Sequence, residues 1–311
     1  MLSFRFVPDG TRIPFIRYQW PAYALSGALI VLSLLLLPTK GLNFGIDFRG
    51  GILMEVRVPG PAADLGAMRA TLGGLGLGEV ALQEFGEPTD VLIRMERQAG
   101  GEEAQLAAVD RVKAALAEQF RENVSYRRVE FVGPKVSGDL FWAGTQAVIY
   151  ALVAILAYIW FRFEWQFAIG AILALIHDVI LTLGIFSLLG LEFNLSTVAA
   201  LLTIVGYSLN DTVVIYDRVR ENLRRYKSML LPELIDRSIN ETLARTVMTS
   251  LTTLLALLAL FAFGGPVIRG FTFAMIWGVL VGTYSTMYIA SPLLLHLNLR
   301  RESVAPATQT P

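Results

Sequence analysis

Six stretches of the 311-residue chain are apolar over about the length a bilayer requires, and one long stretch between the first two alternates instead. With a hydrocarbon core of ~30 Å, hence roughly 20 residues per helix, the pattern predicts transmembrane helices at 21–38, 140–161, 166–189, 194–216, 245–264 and 270–297. Residues 39–139 follow other periods. Gly51 to Val58 partly alternates as a strand does, Ala62 to Leu75 reads as a helix, and Glu79 to Phe85 alternates again. Pro88 and Thr89 mark a turn, Asp90 to Glu96 is a third strand, Glu102 to Arg121 a helix of good formers, and Val124 to Val132 a fourth strand. The order β-α-β-β-α-β is that of a ferredoxin-like unit. The expected fold is an α-helical polytopic membrane protein, six transmembrane helices with a ferredoxin-like α+β exported domain between helices 1 and 2.

Composition agrees. The chain is 54% hydrophobic, with mean hydropathy +0.55, which is too apolar for an ordinary soluble domain. Lys and Arg number 26 against 26 Asp and Glu, so net charge points neither to nucleic acid nor to an acidic partner. Placement of the cations is more informative. Arg5, Arg12 and Arg17 precede the first span, Arg162 follows the second, Arg218, Arg220, Arg224, Arg225, Lys227 and Arg237 follow the fourth, and Arg300 and Arg301 follow the sixth, whereas the opposite short loops carry only Arg269. Both termini are therefore expected in the cytoplasm: an arm at 1–20, a loop at 217–244, and a tail at 298–311 whose last ten residues read as disordered. The loop is expected to extend the fourth helix and re-enter as an interfacial helix. Residues 39–139 then lie in the periplasm. Pro38, Thr39 and Lys40 offer no small-x-small cleavage site, so the first span reads as an uncleaved anchor.

The absence of cysteine removes disulfides, thiolate catalysis and cysteine metal sites. No phosphate-binding loop, metal-spaced cluster or nucleophile–base pairing occurs, and Gly74 to Gly78 joins a helix to a strand, the wrong order for a phosphate cradle. The expectation is a protein that is not an enzyme, with no cofactor and no metal.

Ionisable residues inside the spans carry the functional signal, because charges in hydrocarbon are costly and face partners, cavities or wet paths. On the fourth span Thr203, Tyr207, Asn210 and Asp211 share one face; on the fifth Arg245, Thr249, Thr252 and Thr253 do the same. Asp211 and Arg245 are expected at similar depth, where they can form a salt bridge. That pair reads either as a proton-dependent toggle or as a packing clasp. Asp178 lies on the third span with Ala171, Ala174 and Thr182, and with no basic residue expected at its depth it is protonated, bonded to hydroxyls, or matched by water or another subunit. His177 reads as a hydrogen-bonding residue.

Gly45 to Gly51, His177-Asp178-Val179, Asn210 to Asn222 and Arg245 to Ser250 together resemble the SecD/SecF family of the bacterial Sec export machinery, within the resistance–nodulation–division superfamily, in its SecF branch. The likeness covers residues 15–300; Tyr216 stands where phenylalanine is more usual. It implies an auxiliary translocon subunit of the bacterial inner membrane that, with SecD, uses the proton motive force to assist late-stage protein translocation. The implied partners are SecD, the SecYEG channel, YajC, the translocating unfolded polypeptide and membrane lipids, with no nucleic acid. It also implies a proton relay of Asp211, Arg245 and Asp178, supported by Asn210, Thr203, Tyr207, Thr249 and Thr252, with Gly45, Asp47, Gly50 and Gly51 as a hinge to the exported domain. Two rivals are a small-molecule exporter of the same superfamily, for which about twice the spans are expected, and a scaffold that moves no protons.

Overall fold

The computed structural model describes residues 8, 11–78, 80–121, 123–265, 268–297 and 299. Arg5, Glu79, Arg300, Arg301 and the tail 302–311 lie outside the described residues. Six helices long and apolar enough to cross a membrane are present among them: α1 (Gln19–Thr39), α5 (Pro134–Arg162), α6 (Trp165–Leu189), α7 (Leu195–Arg225), α8 (Leu231–Phe263) and α9 (Arg269–Ser285), the last continuing through a π turn (Thr286–Ala290) into α10 (Ser291–His296). Half of the apolar window of α6 and of α7 is buried, against 17% for α1 and 6% for α5. Helices α6, α7 and α9 therefore make the centre, and the more hydrophobic surface of α1, α5 and α8 faces outward, as expected where lipid is the solvent.

The alternating stretch folds as predicted. Strands β2 (Gly51–Arg57), β3 (Val80–Phe85), β4 (Glu87–Met95) and β5 (Ser125–Val132) form one antiparallel sheet in the order β3-β4-β2-β5. Helices α3 (Leu65–Gly73) and α4 (Gly101–Phe120) complete the ferredoxin-like order. Ile52, Met54 and Val56 alternate with Leu53, Glu55 and Arg57 along β2. The first set meets Val91, Ile93, Met68, Leu72, Val112 and Leu116 in a closed core beneath the two helices. On the opposite face Asp90, 1% exposed, is held by Arg57 at 2.5 and 2.9 Å and by Arg127 at 3.0 Å. The bidentate Arg57 keeps the Asp90 carboxyl below its usual range.

Three local expectations change. Pro88 and Thr89 are not a turn but open β4; the chain reverses at Gly86, whose φ of +86° suits glycine. Proline is tolerated there because it sits at the beginning of the strand. No separate interfacial helix follows α7 among the described residues: α8 runs unbroken from Leu231 to Phe263, since Pro232 sits in its first turn and no glycine or further proline interrupts it. Finally, the segment entering the sheet is more structured than a tether. Asn43 and Phe44 (β1) pair in parallel with Glu192 and Phe193 (β6) in the α6–α7 turn, and Ile46–Arg49 forms a short helix, α2.

At the opposite, arginine-rich end, Asn222 donates to Ser238 and to Glu241, which locks the α7–α8 hairpin. Asp236 and Asn240 on α8 accept from the backbone N–H groups of Ile16 and Ile13, which binds the entry to α1 against that hairpin.

Candidate functional site

Helix α7 starts at a capping box, Asn194 accepting from the Thr197 N–H at 3.1 Å, and carries Asp211 into the middle of the helical bundle. Asp211 is 2% exposed, and neither carboxylate oxygen has a hydrogen-bond partner among the described residues. Tyr207 Oη and Thr246 Oγ1, on α7 and α8, are likewise buried and unpartnered. Such a concentration of unmet polar groups marks a functional site more often than a packing solution.

The expected Asp211–Arg245 salt bridge is not formed: no ion pair joins them among the described residues. Register explains why. Asn222 meeting Ser238 across the hairpin sets residue 211 level with residue 249, so Arg245 lies four residues, about 6 Å, toward the arginine-rich end. Arg245 is exposed and lines an open cavity of about 890 Å³ with Arg162, Arg218, Arg220, Arg224 and Arg225, six arginines against Asp217, Glu221 and Glu241. Its charge still acts on the Asp211 carboxylate through space.

The predicted supporting face divides. Thr203 and Asn210 are exposed and Tyr207 half-buried. Thr249 and Thr252 return their hydroxyls to carbonyls of their own helix, at 3.0 to 3.1 Å and 2.8 to 3.1 Å. They satisfy themselves and join nothing to Asp211.

Asp178 is a contrasting case. It is fully buried, and its Oδ2 accepts from Ser208 on α7 at 2.7 Å and from Ser285 on α9 at 2.9 Å. Its Oδ1 lies 2.9 Å from His177 Nδ1, whose Nε2 is 3.2 Å from Ser26 on α1. Ser26 is 3.1 Å from the Tyr284 hydroxyl, which donates to the Ala22 carbonyl at 3.0 Å. Donor counting orders the outer links. Tyr284 gives its only proton to Ala22, so Ser26 must donate to Tyr284, and His177 Nε2 must then donate to Ser26. Every link is satisfied when Nε2 carries one proton and a second lies between Nδ1 and the Asp178 Oδ1. Of the partners expected for Asp178, hydroxyls are the ones found, Ser208 and Ser285, with His177 against the other oxygen. Thr182, expected as a partner, donates instead to the backbone carbonyl of Asp178 at 2.7 Å.

Sequence reasoning overlooked Ser26, Ser208 and Ser285, the hydroxyls that hold this network, and Thr212, which shares a 2.8 Å bond with Thr286. Serines buried at helix crossings were the available signal.

The predicted hinge residues cluster at the sheet-side junction. Gly50 and Gly51 have φ of +71° and +120°, and a Cβ on Gly51 would fall 2.5 Å from the Met95 carbonyl. Glycine is required there by close strand contact. Asp47 accepts from the Leu195 N–H at 2.9 Å, and Gly45 abuts Glu192.

The family model described as "Protein export membrane protein SecD/SecF, C-terminal" matches residues 111–300, and the "SecD/SecF GG Motif" model matches residues 35–58. The chain is 48% identical over 290 residues to protein translocase subunit SecF of Rickettsia felis, covering 93% of each. It is 47% identical to that of Rickettsia prowazekii, covering 98% of this chain and 97% of the relative. Among solved structures it resembles SecDF of Thermus thermophilus, a translocon-associated membrane protein, with TM-score 0.84 and 38% identity over 94% of this chain and 39% of that one. A second SecDF crystal structure, in a super-membrane-facing form, gives TM-score 0.67 at 35% identity, over 95% of this chain and 40% of that one. The chain thus spans about two-fifths of either SecDF. A multi-pass helical bundle, a GG-motif junction and full-length likeness to SecF subunits converge: the chain belongs to the SecD/SecF family of protein export membrane proteins, as a SecF-type member.

Proposed function

We propose that the chain is the SecF-type half of a SecD–SecF assembly in the bacterial inner membrane, with both termini cytoplasmic, where it uses the proton motive force to assist late-stage protein translocation through the Sec translocon. Asp211 is the group that takes up and releases the proton, Arg245 the charge that responds, and the sheet domain the exported part that engages emerging unfolded polypeptide. The names of the relatives support the Sec role; one observation supports the proton role. A buried carboxyl group with no fixed donors is favoured as an anion only by charge acting from a distance, so it exchanges a proton where water reaches it. Loss of its charge removes the attraction on Arg245, which lines the open arginine-rich cavity. A membrane potential supplies ~2.3 kcal/mol per charge per 100 mV, enough to shift a two-state helix arrangement by more than tenfold. The clasp reading has no support in the geometry, because no bond joins the two groups. The excess of arginines in the cavity suits anionic lipid headgroups. SecYEG and YajC remain partners of the assembly in this reading.

The test is the ratio of export with an imposed proton gradient to export with an uncoupler, in vesicles containing the whole translocon. Asp211→Asn and Arg245→Met are each expected to bring that ratio to about one. Retention of the full ratio by both variants overturns the proton role.

A further inference from the structure

Several independent contacts converge on the two-residue strand β6 in the connection between α6 and α7. Glu192 there is half-buried and takes a short charge-assisted hydrogen bond from Arg94 of β4, which also donates to Asn43 at 3.1 Å. Its backbone is the parallel partner of Asn43, and Phe193 that of Phe44. Two residues later, Asp47 accepts from the N–H of Leu195, the first residue of α7. Phe44, Phe48, Phe141 and Phe193 pack ring against ring at 5.9 to 6.1 Å, with Phe193 reaching Phe186 at 6.3 Å. A Cβ at Gly45 would lie 2.5 Å from Glu192 Oε1. The glycine therefore makes room for this carboxylate.

We propose that Glu192, with Arg94 and Asp47, clamps the sheet domain to the start of α7, so that the sheet and the helix carrying Asp211 move as one body, and that Glu192 is a positioning residue of the transport cycle. The inference rests on the translocation reading above and deepens it by naming the mechanical route. Charge-assisted bonds away from bulk water are stronger than neutral ones, and Glu192 lies where few waters compete. The aromatic cluster keeps the turn rigid, since interiors packed in this way transmit displacement instead of absorbing it. Nothing in the junction requires the glycines to bend; they permit close approach.

The experiment uses the full chain in its assembled complex. Glu192→Gln and Arg94→Gln are each expected to lower gradient-dependent export about 3- to 30-fold, the span typical of a lost coupling contact, with insertion and assembly unchanged. Gly45→Ala, which displaces the carboxylate without removing charge, is expected to act in the same direction. The chain has no cysteine, so Arg94→Cys with Glu192→Cys introduces its only thiols. That double variant is expected to lose export and to regain it when a short bismaleimide bridges the pair. Full export by Glu192→Gln, or a bridged protein as slow as the unbridged one, overturns the clamp. A separate readout is independent of proton use: spin labels at Glu103→Cys and Leu195→Cys should give a broader distance distribution in Glu192→Gln than in the parent. An unchanged distribution overturns the clamp even if Asp211→Asn abolishes export, and a broadened one upholds it even if the proton reading fails.

Discussion

Two aspartates lie buried in the same helical bundle and have been given opposite surroundings. Asp178 accepts from two serines on two neighbouring helices and stands against His177; Asp211 accepts from nothing. The first is thus a node whose bonds reach α7 and α9 directly and α1 through His177 and Ser26. The second has been left unsatisfied, and the cost of that is borne by the packing around it. Burial is common to the two carboxylates; the number of donors aimed at each is what differs.

The largest contrast is expected in stability. Removing the carboxyl group strands the buried hydroxyls of Ser208 and Ser285, so Asp178→Ala should destabilise the detergent-solubilised protein by about 2–6 kcal/mol, roughly 1–3 for each stranded donor, read as a fall in the thermal midpoint. Asp211→Asn should leave the midpoint unchanged or raise it, because it strips no hydrogen bond. A large loss of stability in Asp211→Asn would erase the distinction. Next come the donors: Ser208→Ala and Ser285→Ala should each cost roughly 0.6–1.7 kcal/mol, the range measured for hydrogen bonds between membrane helices. Their effects should shrink in an Asp178→Asn background, a double-mutant cycle that sharpens the assignment. The smallest effect lies outside the membrane. Asp90 is held below its usual pKa of 3.8 by Arg57. Its contribution is therefore present above that value and lost as pH falls through the lower folded one. Hydrogen exchange of the sheet amides in the full chain should be flat above about pH 5 and accelerate, after correction for intrinsic rates, below 3.8. Asp90→Asn should flatten that acid limb.

Six spans were legible because burial in lipid demands about 20 apolar residues in succession, a signal too long to mimic by chance. The ferredoxin-like order was legible for a different reason: each strand shows one face to a closed core, which writes a period of two into Ile52, Met54 and Val56. The two-residue strands at Asn43 and Glu192 left no such trace, being shorter than any period. The partners of Asp178 were hidden because Ser208 and Ser285 lie 30 and 107 residues away, and a serine on an apolar helix barely disturbs its pattern. Arg245 and Asp211 stand out in the sequence as charges within apolar spans. Their lack of a direct bond follows from hairpin register, which is set by Asn222 and Ser238 at the far end of the two helices and cannot be read from either span alone.

The π turn at Thr286–Ala290 adds a last point. One extra residue is wound into that coil, and it sits between Ser285, which serves Asp178, and Leu294, which is fully buried in the hydrophobic core. The Ala290 carbonyl within it receives the Tyr216 hydroxyl at 3.0 Å. A coil of this width takes up its extra residue without turning the helix downstream, so Ser285 and Leu294 keep the faces that an ordinary helix one residue shorter would give them. The wide coil thus lodges one more residue, and the carbonyl that Tyr216 meets, while the rod on either side runs on undisturbed.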